Sequence, residues 1–269
     1  LMDGFIVHGR GGNGAPLDGK LLNEADRKQF DMSATAERFR AGHRIREDCR
    51  VPVMIIQSET DQLTLQGLTA RQPDSKHVRT WEIAGAAHVD TYGLVAGYLD
   101  DGTLPPAVLA KLLTANYSPM GMQLCGPMNS GAQQHYILQA ALWHLSRWAR
   151  GGEAPTSAPP LALDSTSEDV ARDDYGIARQ GVRSPWVDVP AAVLTGLAAE
   201  GDILGLLFGR TLPLALNLLL QRYPGGYDQY CEEFDASTTH AVEAALLLAE
   251  DSQEKLGLGK ASRPHCPRR

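Results

Sequence analysis

Glu59, Asp61 and His88 are the residues whose types and spacing suit acid–base chemistry. Both carboxylates stand in a polar turn, Ser58-Glu59-Thr60-Asp61, and the histidine closes a small-residue loop, Gly85-Ala86-Ala87-His88. A carboxylate that orients an imidazole, so that the imidazole can take a proton from a hydroxyl, is the back half of a nucleophilic triad. The two groups must meet for this to work, so the elements that carry them decide the matter. Val51-Pro52-Val53-Met54-Ile55-Ile56 is short, apolar and β-branched, which is how a strand buried on both faces of a parallel sheet reads. Val78 to Ala84 reads as a second strand. In an open α/β sheet, ligands bind outside the carboxyl ends of the strands. The acid turn and the histidine loop are therefore expected at one edge, on neighbouring strands.

These residues resemble the acid and histidine loops of the α/β-hydrolase superfamily. There a strand beginning with Val-Pro leads to the triad acid, and the next strand ends in a small-residue loop carrying the histidine. Asp61 matches the acid, three positions after Ser58, where the family often has glycine; His88 matches the histidine. Glu59 stays open as the alternative acid, since either carboxylate of one turn can reach an imidazole. The resemblance implies a serine hydrolase that cleaves an ester or related acyl bond of a small molecule with a Ser-Asp-His triad. It implies no metal and no organic cofactor.

The family's nucleophile sits in Gly-x-Ser-x-Gly, and the chain contains no such pentapeptide. Ser130, in Pro127-Met128-Asn129-Ser130-Gly131, comes nearest, but it lacks the first glycine and follows the histidine, against the family's order. The chain opens on Leu1 and runs at once into Phe5-Ile6-Val7. It is read here as the C-terminal part of a longer hydrolase, with the serine upstream, so that the fragment alone is expected to be inactive. Two alternatives belong to other classes: a non-catalytic, hydrolase-like binding module, and an α/β-hydrolase with non-esterase chemistry. The residue in the elbow, serine or aspartate, separates them.

Asp3 to Val7 reads as a strand entering His8-Gly9-Arg10-Gly11-Gly12. This loop is either a lining of the site, with His8 and Gly9 near substrate, or a glycine turn serving chain reversal. Residues 18 to 47 are expected to form one or two helices or loops over the sheet. After the histidine, a helix is expected to about Leu99 and an apolar segment at Val108–Leu113; Tyr92 is a candidate substrate contact. Ser130 with Gln133 suggests a capping box opening a helix that Gly151-Gly152 ends. Residues 151–190 read as a linker or extended segment. Helices are expected at 191–199, 212–222, 227–234 and 239–250, the last capped by Asp235-Ala236-Ser237-Thr238. Residues 251–269, ending in a Pro- and Arg-rich stretch, are expected to form a disordered tail.

The fold class is thus α/β: the C-terminal portion of an α/β-hydrolase sheet with flanking helices, over residues 1–150, and a mostly helical extension over 191–250. Gly181–Pro185, Leu207–Thr211 and Tyr223–Tyr227 resemble stretches of a bacterial group of α/β-hydrolase-domain proteins. Of 269 residues, 43% are hydrophobic and 21% charged, the balance of an ordinary globular protein. A net charge of −7 argues against nucleic acid or an anionic membrane surface as partner. The 4 cysteines are widely spaced without a Cys-x-x-Cys pair, which disfavours a zinc site and gives no disulfide framework. The longest apolar candidate, Ile203 to Leu220, is broken by Gly205, Gly209, Arg210 and Pro213, and falls short of a membrane span. Oligomeric state is not legible at this level.

Overall fold

The computed structural model describes residues 2–12, 42–167 and 169–261. The expected helices or loops of residues 18 to 47 lie mostly outside the described residues, as do residues 262–269 of the tail; residues 251–261, expected to be disordered, continue a helix instead. Three parallel strands, β1 (Phe5–His8), β2 (Val53–Ser58) and β3 (Val78–Ile83), pair in the order β1-β2-β3. All six residues of β2 are buried, because each face of the strand meets a separate apolar layer. Met54 and Ile56 pack with Trp81, Ile83, Ile137 and Leu145, while Val53 and Ile55 pack with Val78, Val7 and Ile45. The β-branched run is what a strand covered on both sides requires.

The first layer is supplied by the long helix that crosses the sheet. In chain order the helices are α1 (Glu59–Leu63), α2 (Thr91–Leu94), α3 (Pro106–Leu112), α4 (Gln133–Ala149), α5 (Pro185–Asp188), α6 (Leu216–Arg222), α7 (Gly226–Glu243) and α8 (Ala249–Ala261). Tyr136, Ile137, Ala140, Ala141, Leu145 and Trp148 make the buried stripe of α4 at helical spacing. Gly151, at φ +88, follows its end. The start of α4 differs from the expected capping box. Its N-cap is Ala132, without a side-chain cap. Gln133 instead donates from Nε2 to Gly85 O at 2.6 Å, and Ser130 Oγ accepts from Thr211 Oγ1 at 3.1 Å. Tertiary partners thus outcompete the local box.

Beyond α4 the chain departs further from a row of helices. Residues 192–195 form a strand, β4 (Ala192–Thr195), antiparallel to β5 (Arg210–Pro213). Val193 and Thr195 are β-branched and Gly196 follows, all weak helix formers, and cross-strand pairing settles the choice. α7 runs unbroken through Asp235–Thr238, so the expected N-cap lies inside a helix. There Thr238 Oγ1 donates to Phe234 O at 2.8 Å. The helix expected after the histidine is only the short α2, followed by a 3₁₀ turn at Ala96–Tyr98.

Residues 151–190 lie along the outer edge of β3 rather than apart from the domain. Trp81 Nε1 donates to Thr156 O at 2.9 Å, and Leu161 N donates to Glu82 Oε2 at 2.8 Å. Val182 extends the sheet by bridging to Ile83, with Val182 N on Glu82 O at 2.7 Å and Ala84 N on Val182 O at 3.0 Å. Further back, Asp74 Oδ1 takes Thr80 N and Ser75 N donates to Val78 O. The opposite edge, that of β1, pairs with no strand among the described residues.

Candidate active site

Ser58 at the end of β2 pairs with Ile83 at the end of β3, so the acid turn and the histidine loop leave the sheet at one level. Ser58 is also the N-cap of α1, with extended backbone at φ −88 and ψ 173. Its hydroxyl accepts from Asp61 N at 3.2 Å, and Asp61 Oδ2 in turn accepts from Ser58 N at 2.7 Å and Ser58 Oγ at 2.8 Å. That reciprocal pair is a capping box, each side chain satisfying an amide the helix leaves open. With Oδ2 held this way, Asp61 Oδ1 meets His88 Nδ1 at 2.6 Å. The length is that of a charge-assisted hydrogen bond. The Asp61 side chain is 1% exposed and that of His88 28%, so the acid is sealed in and the base reaches the surface.

An ionised carboxylate only accepts, so Nδ1 carries the proton and the neutral ring presents Nε2 as an acceptor. Nε2 has no hydrogen-bond partner among the described residues. The hydrogen bond to Asp61 raises the His88 pKa above the ordinary 6.5; burial opposes it and the Asp61 charge adds to it. The backbone of the loop is held as well. Gln134 Nε2 donates to His88 O at 3.3 Å, and Val89 N donates to Leu207 O at 2.9 Å.

His8 and Gly9 come to this place from β1, whose Gly9 N donates to Ile56 O at 3.0 Å. Gly9 lies flat against the imidazole: a Cβ here would stand 3.0 Å from His88 Cε1 and 3.2 Å from Nδ1, on a backbone at φ +64. His8 is exposed at the strand end. Partial loss of solvent lowers its pKa, the Asp61 charge raises it and His88 lowers it. Tyr92 is turned inward. It is 7% exposed, donates from its hydroxyl to Asp100 Oδ2 at 2.9 Å and stacks on His135 at 4.0 Å.

Glu59 is two residues from Asp61 but its carboxylate goes elsewhere. It is fully buried, and takes Gly85 N at 2.6 Å on Oε1. On Oε2 it takes Thr195 Oγ1 at 2.9 Å, Gly196 N at 3.1 Å and an Arg172 Nη at 3.0 Å. The first and third positions of a helix point about 200° apart around its axis, which is why one carboxylate meets the histidine and the other the strand behind. Ser58, Arg172 and Thr195 were not singled out in the sequence. Ser58 carried a signal, since Ser-x-x-Asp before a helix is a capping pattern. Arg172 and Thr195 carried none, because long-range pairing leaves no local trace.

No group of three or more His, Cys, Asp or Glu that could hold a metal ion occurs among the described residues, and no described helix is long and apolar enough to cross a membrane. Comparison with curated proteins and with solved structures returned no significant match. A family model described as alpha/beta hydrolase domain matches residues 1–256. Parallel strands that bring an acid turn and a histidine loop to one edge thus occur in a chain that belongs, over nearly its whole length, to the alpha/beta hydrolase domain family.

Proposed function

We propose that Asp61 and His88 are the acid and base of a Ser-Asp-His triad in a serine hydrolase that cleaves an ester or related acyl bond. The observation that carries the reading is the 2.6 Å bond from His88 Nδ1 to a buried, capped Asp61, with Nε2 left without a partner among the described residues. In this reading Nε2 takes the proton of the attacking serine while the Nδ1–H bond to Asp61 holds the tautomer and stabilises the imidazolium that forms. The same nitrogen then returns the proton to the leaving alcohol or amine. His8 and Gly9 line the approach to the imidazole.

No described serine hydrogen-bonds to His88, and no described strand pairs with the outer edge of β1. The proposal therefore places the serine on a strand that pairs with β1, upstream in the chain order of the family, and the 269-residue chain alone is inactive. The test is fluorophosphonate labelling of the full protein that contains this chain, followed by mapping of the modified residue. A labelled serine, lost on His88→Ala and on Asp61→Ala, supports the triad. Labelling that survives both variants overturns it. An aspartate in the elbow, or no labelling, would move the family member to non-esterase chemistry or to a binding module.

A further inference from the structure

We infer that Glu59, held by Arg172 and Thr195, is a positioning residue that sets the Asp61–His88 contact. The inference rests on the reading of Asp61 and His88 as the working pair. Glu59 and Asp61 share one helical turn, so whatever fixes Glu59 fixes the acid. Glu59 also fixes the base, because its Oε1 takes the amide of Gly85, the first residue of the histidine loop, at 2.6 Å. Its own amide donates to Ala86 O at 3.1 Å. The acid turn and the histidine loop are thereby joined by two hydrogen bonds, at the residues just ahead of His88.

The rest of the carboxylate is used to bring in a third and a fourth segment. Thr195 Oγ1 and Gly196 N come from the end of β4, and Arg172 from the stretch that folds along β3. Thr60 Oγ1 adds a bond to Gly196 O at 2.7 Å. Gly196 itself admits no side chain, since a Cβ would stand 2.5 Å from Thr60 N. Burying an ion costs several kcal/mol even when it is paired, and a neutral side chain of the same shape would fill this space at less cost. What the carboxylate supplies that a neutral group cannot is four donors gathered on two oxygens, drawn from three segments, directly behind the dyad. The chain beyond residue 151 thus contributes to the site through Glu59.

The experiment follows His88 in the 269-residue chain by proton NMR. Its readouts are the far-downfield Nδ1 proton, which reports the bond to Asp61, and the imidazole pKa, which reports its strength. Variants are Glu59→Gln, the neutral pair Glu59→Gln with Arg172→Met, Thr195→Val and Thr195→Ser. The wild type is expected to show the downfield proton and a pKa above 6.5. In Glu59→Gln and in the neutral pair, the proton broadens or is lost and the pKa falls by about one unit. Thr195→Val shows the same in weaker form, and Thr195→Ser, which keeps the hydroxyl, restores both signals. Should the charge variants not fold, the two threonine variants carry the test alone, as each changes one neutral contact. Folded variants that keep both His88 signals at wild-type values overturn the positioning role and leave the dyad intact. A wild type without the downfield proton and with an ordinary pKa overturns the dyad itself.

Discussion

Asp61 serves two partners with its two oxygens, and each can be cut separately. Ser58→Ala removes the hydroxyl's bond to Oδ2 and the bond that the Asp61 amide makes to that hydroxyl, while Ser58 N stays on Oδ2 and His88 keeps its partner. Loss of such a cap costs about 1 kcal/mol, and thermal unfolding should register it. If Asp61 works as the proposed acid, the variant should also weaken turnover by freeing the carboxylate to rotate. Asp61→Asn removes the charge and, with the amide presented to Nδ1, favours the wrong tautomer. A fall in turnover of about 10⁴-fold is expected by analogy with a serine protease.

The pH dependence follows from the raised His88 pKa. A base must be neutral to accept a proton, so turnover should fall as pH drops through that pKa, with the acid limb above 6.5. Stability runs the other way. A folded-state pKa above the unfolded one gives a contribution that is full below 6.5 and is lost as pH rises through the raised value. In Asp61→Asn the limb should move down and the stability difference on the acid side should disappear. Gly9→Ala tests the close approach. The strained positive φ costs about 1–2 kcal/mol, and the added methyl at 3.0 Å pushes the ring off Asp61, so the acid limb should shift down in this variant too.

At the scale of elements, the strands of the site were legible from their pattern, while the choice between the two carboxylates rested on the resemblance alone. The run Val51–Ile56 reads as a doubly buried strand, which lies two residues on at Val53–Ser58, and parallel pairing then brings both site turns to one edge. Which acid meets the histidine depends on the direction side chains take around the first turn of α1, and two candidates in one turn look alike in sequence. The misread stretch 191–199 shows the opposite failure. Ala191, Ala192, Leu194, Leu197, Ala198 and Ala199 are consistent with a helix, yet pairing with residues 210–213 overrides local preference. The capping pattern at Ser130 failed for a similar reason, since Gln133 found Gly85 and Ser130 found Thr211.

The N-cap of α2 makes an element-scale prediction. Asp90 accepts from Gly93 N at 2.8 Å but is wholly buried, and burial raises its pKa to about 7 against the pull of the helix amides. Its folded pKa lies above the unfolded value, so stability should decline as pH rises from about 4 to about 7. Asp90→Asn keeps the acceptor and cannot ionise. Above pH 7 it should gain on the order of 1–3 kcal/mol, since each pKa unit is about 1.4 kcal/mol and local relaxation returns part of it. Near pH 4 it should gain nothing. Urea unfolding at the two ends of this range decides the point.

For the whole molecule, the two sides of the sheet are treated differently. On the β3 side, Ser75 N donates to Val78 O, Asp74 accepts from Thr80 N, and Val182 donates to Glu82 O and accepts from Ala84 N. On the β1 side, Phe5 N and Gly9 N point to β2, so the intervening Ile6 and His8 turn theirs outward. Among the described residues no strand covers this edge; a strand edge left open recruits another strand, so the 269-residue chain on its own should associate as its concentration rises. Ile6→Pro deletes one outward N–H without touching the β1–β2 bonds, and should return the chain to monomer in sedimentation velocity. A wild type that stays monomeric throughout would count against the open edge as a recruiting surface.

A sheet with one closed margin cannot act as a template that regenerates itself. Two copies meeting through β1 would do so about a two-fold axis, each offering the same strand to the other. Once they have joined, the margins left over are both β3 edges, where Asp74, Ser75 and Val182 already occupy part of the backbone. The capped β3 edge therefore sets an upper limit on assembly through this sheet: it terminates at a pair, and a fibre would require Val182 to let go first.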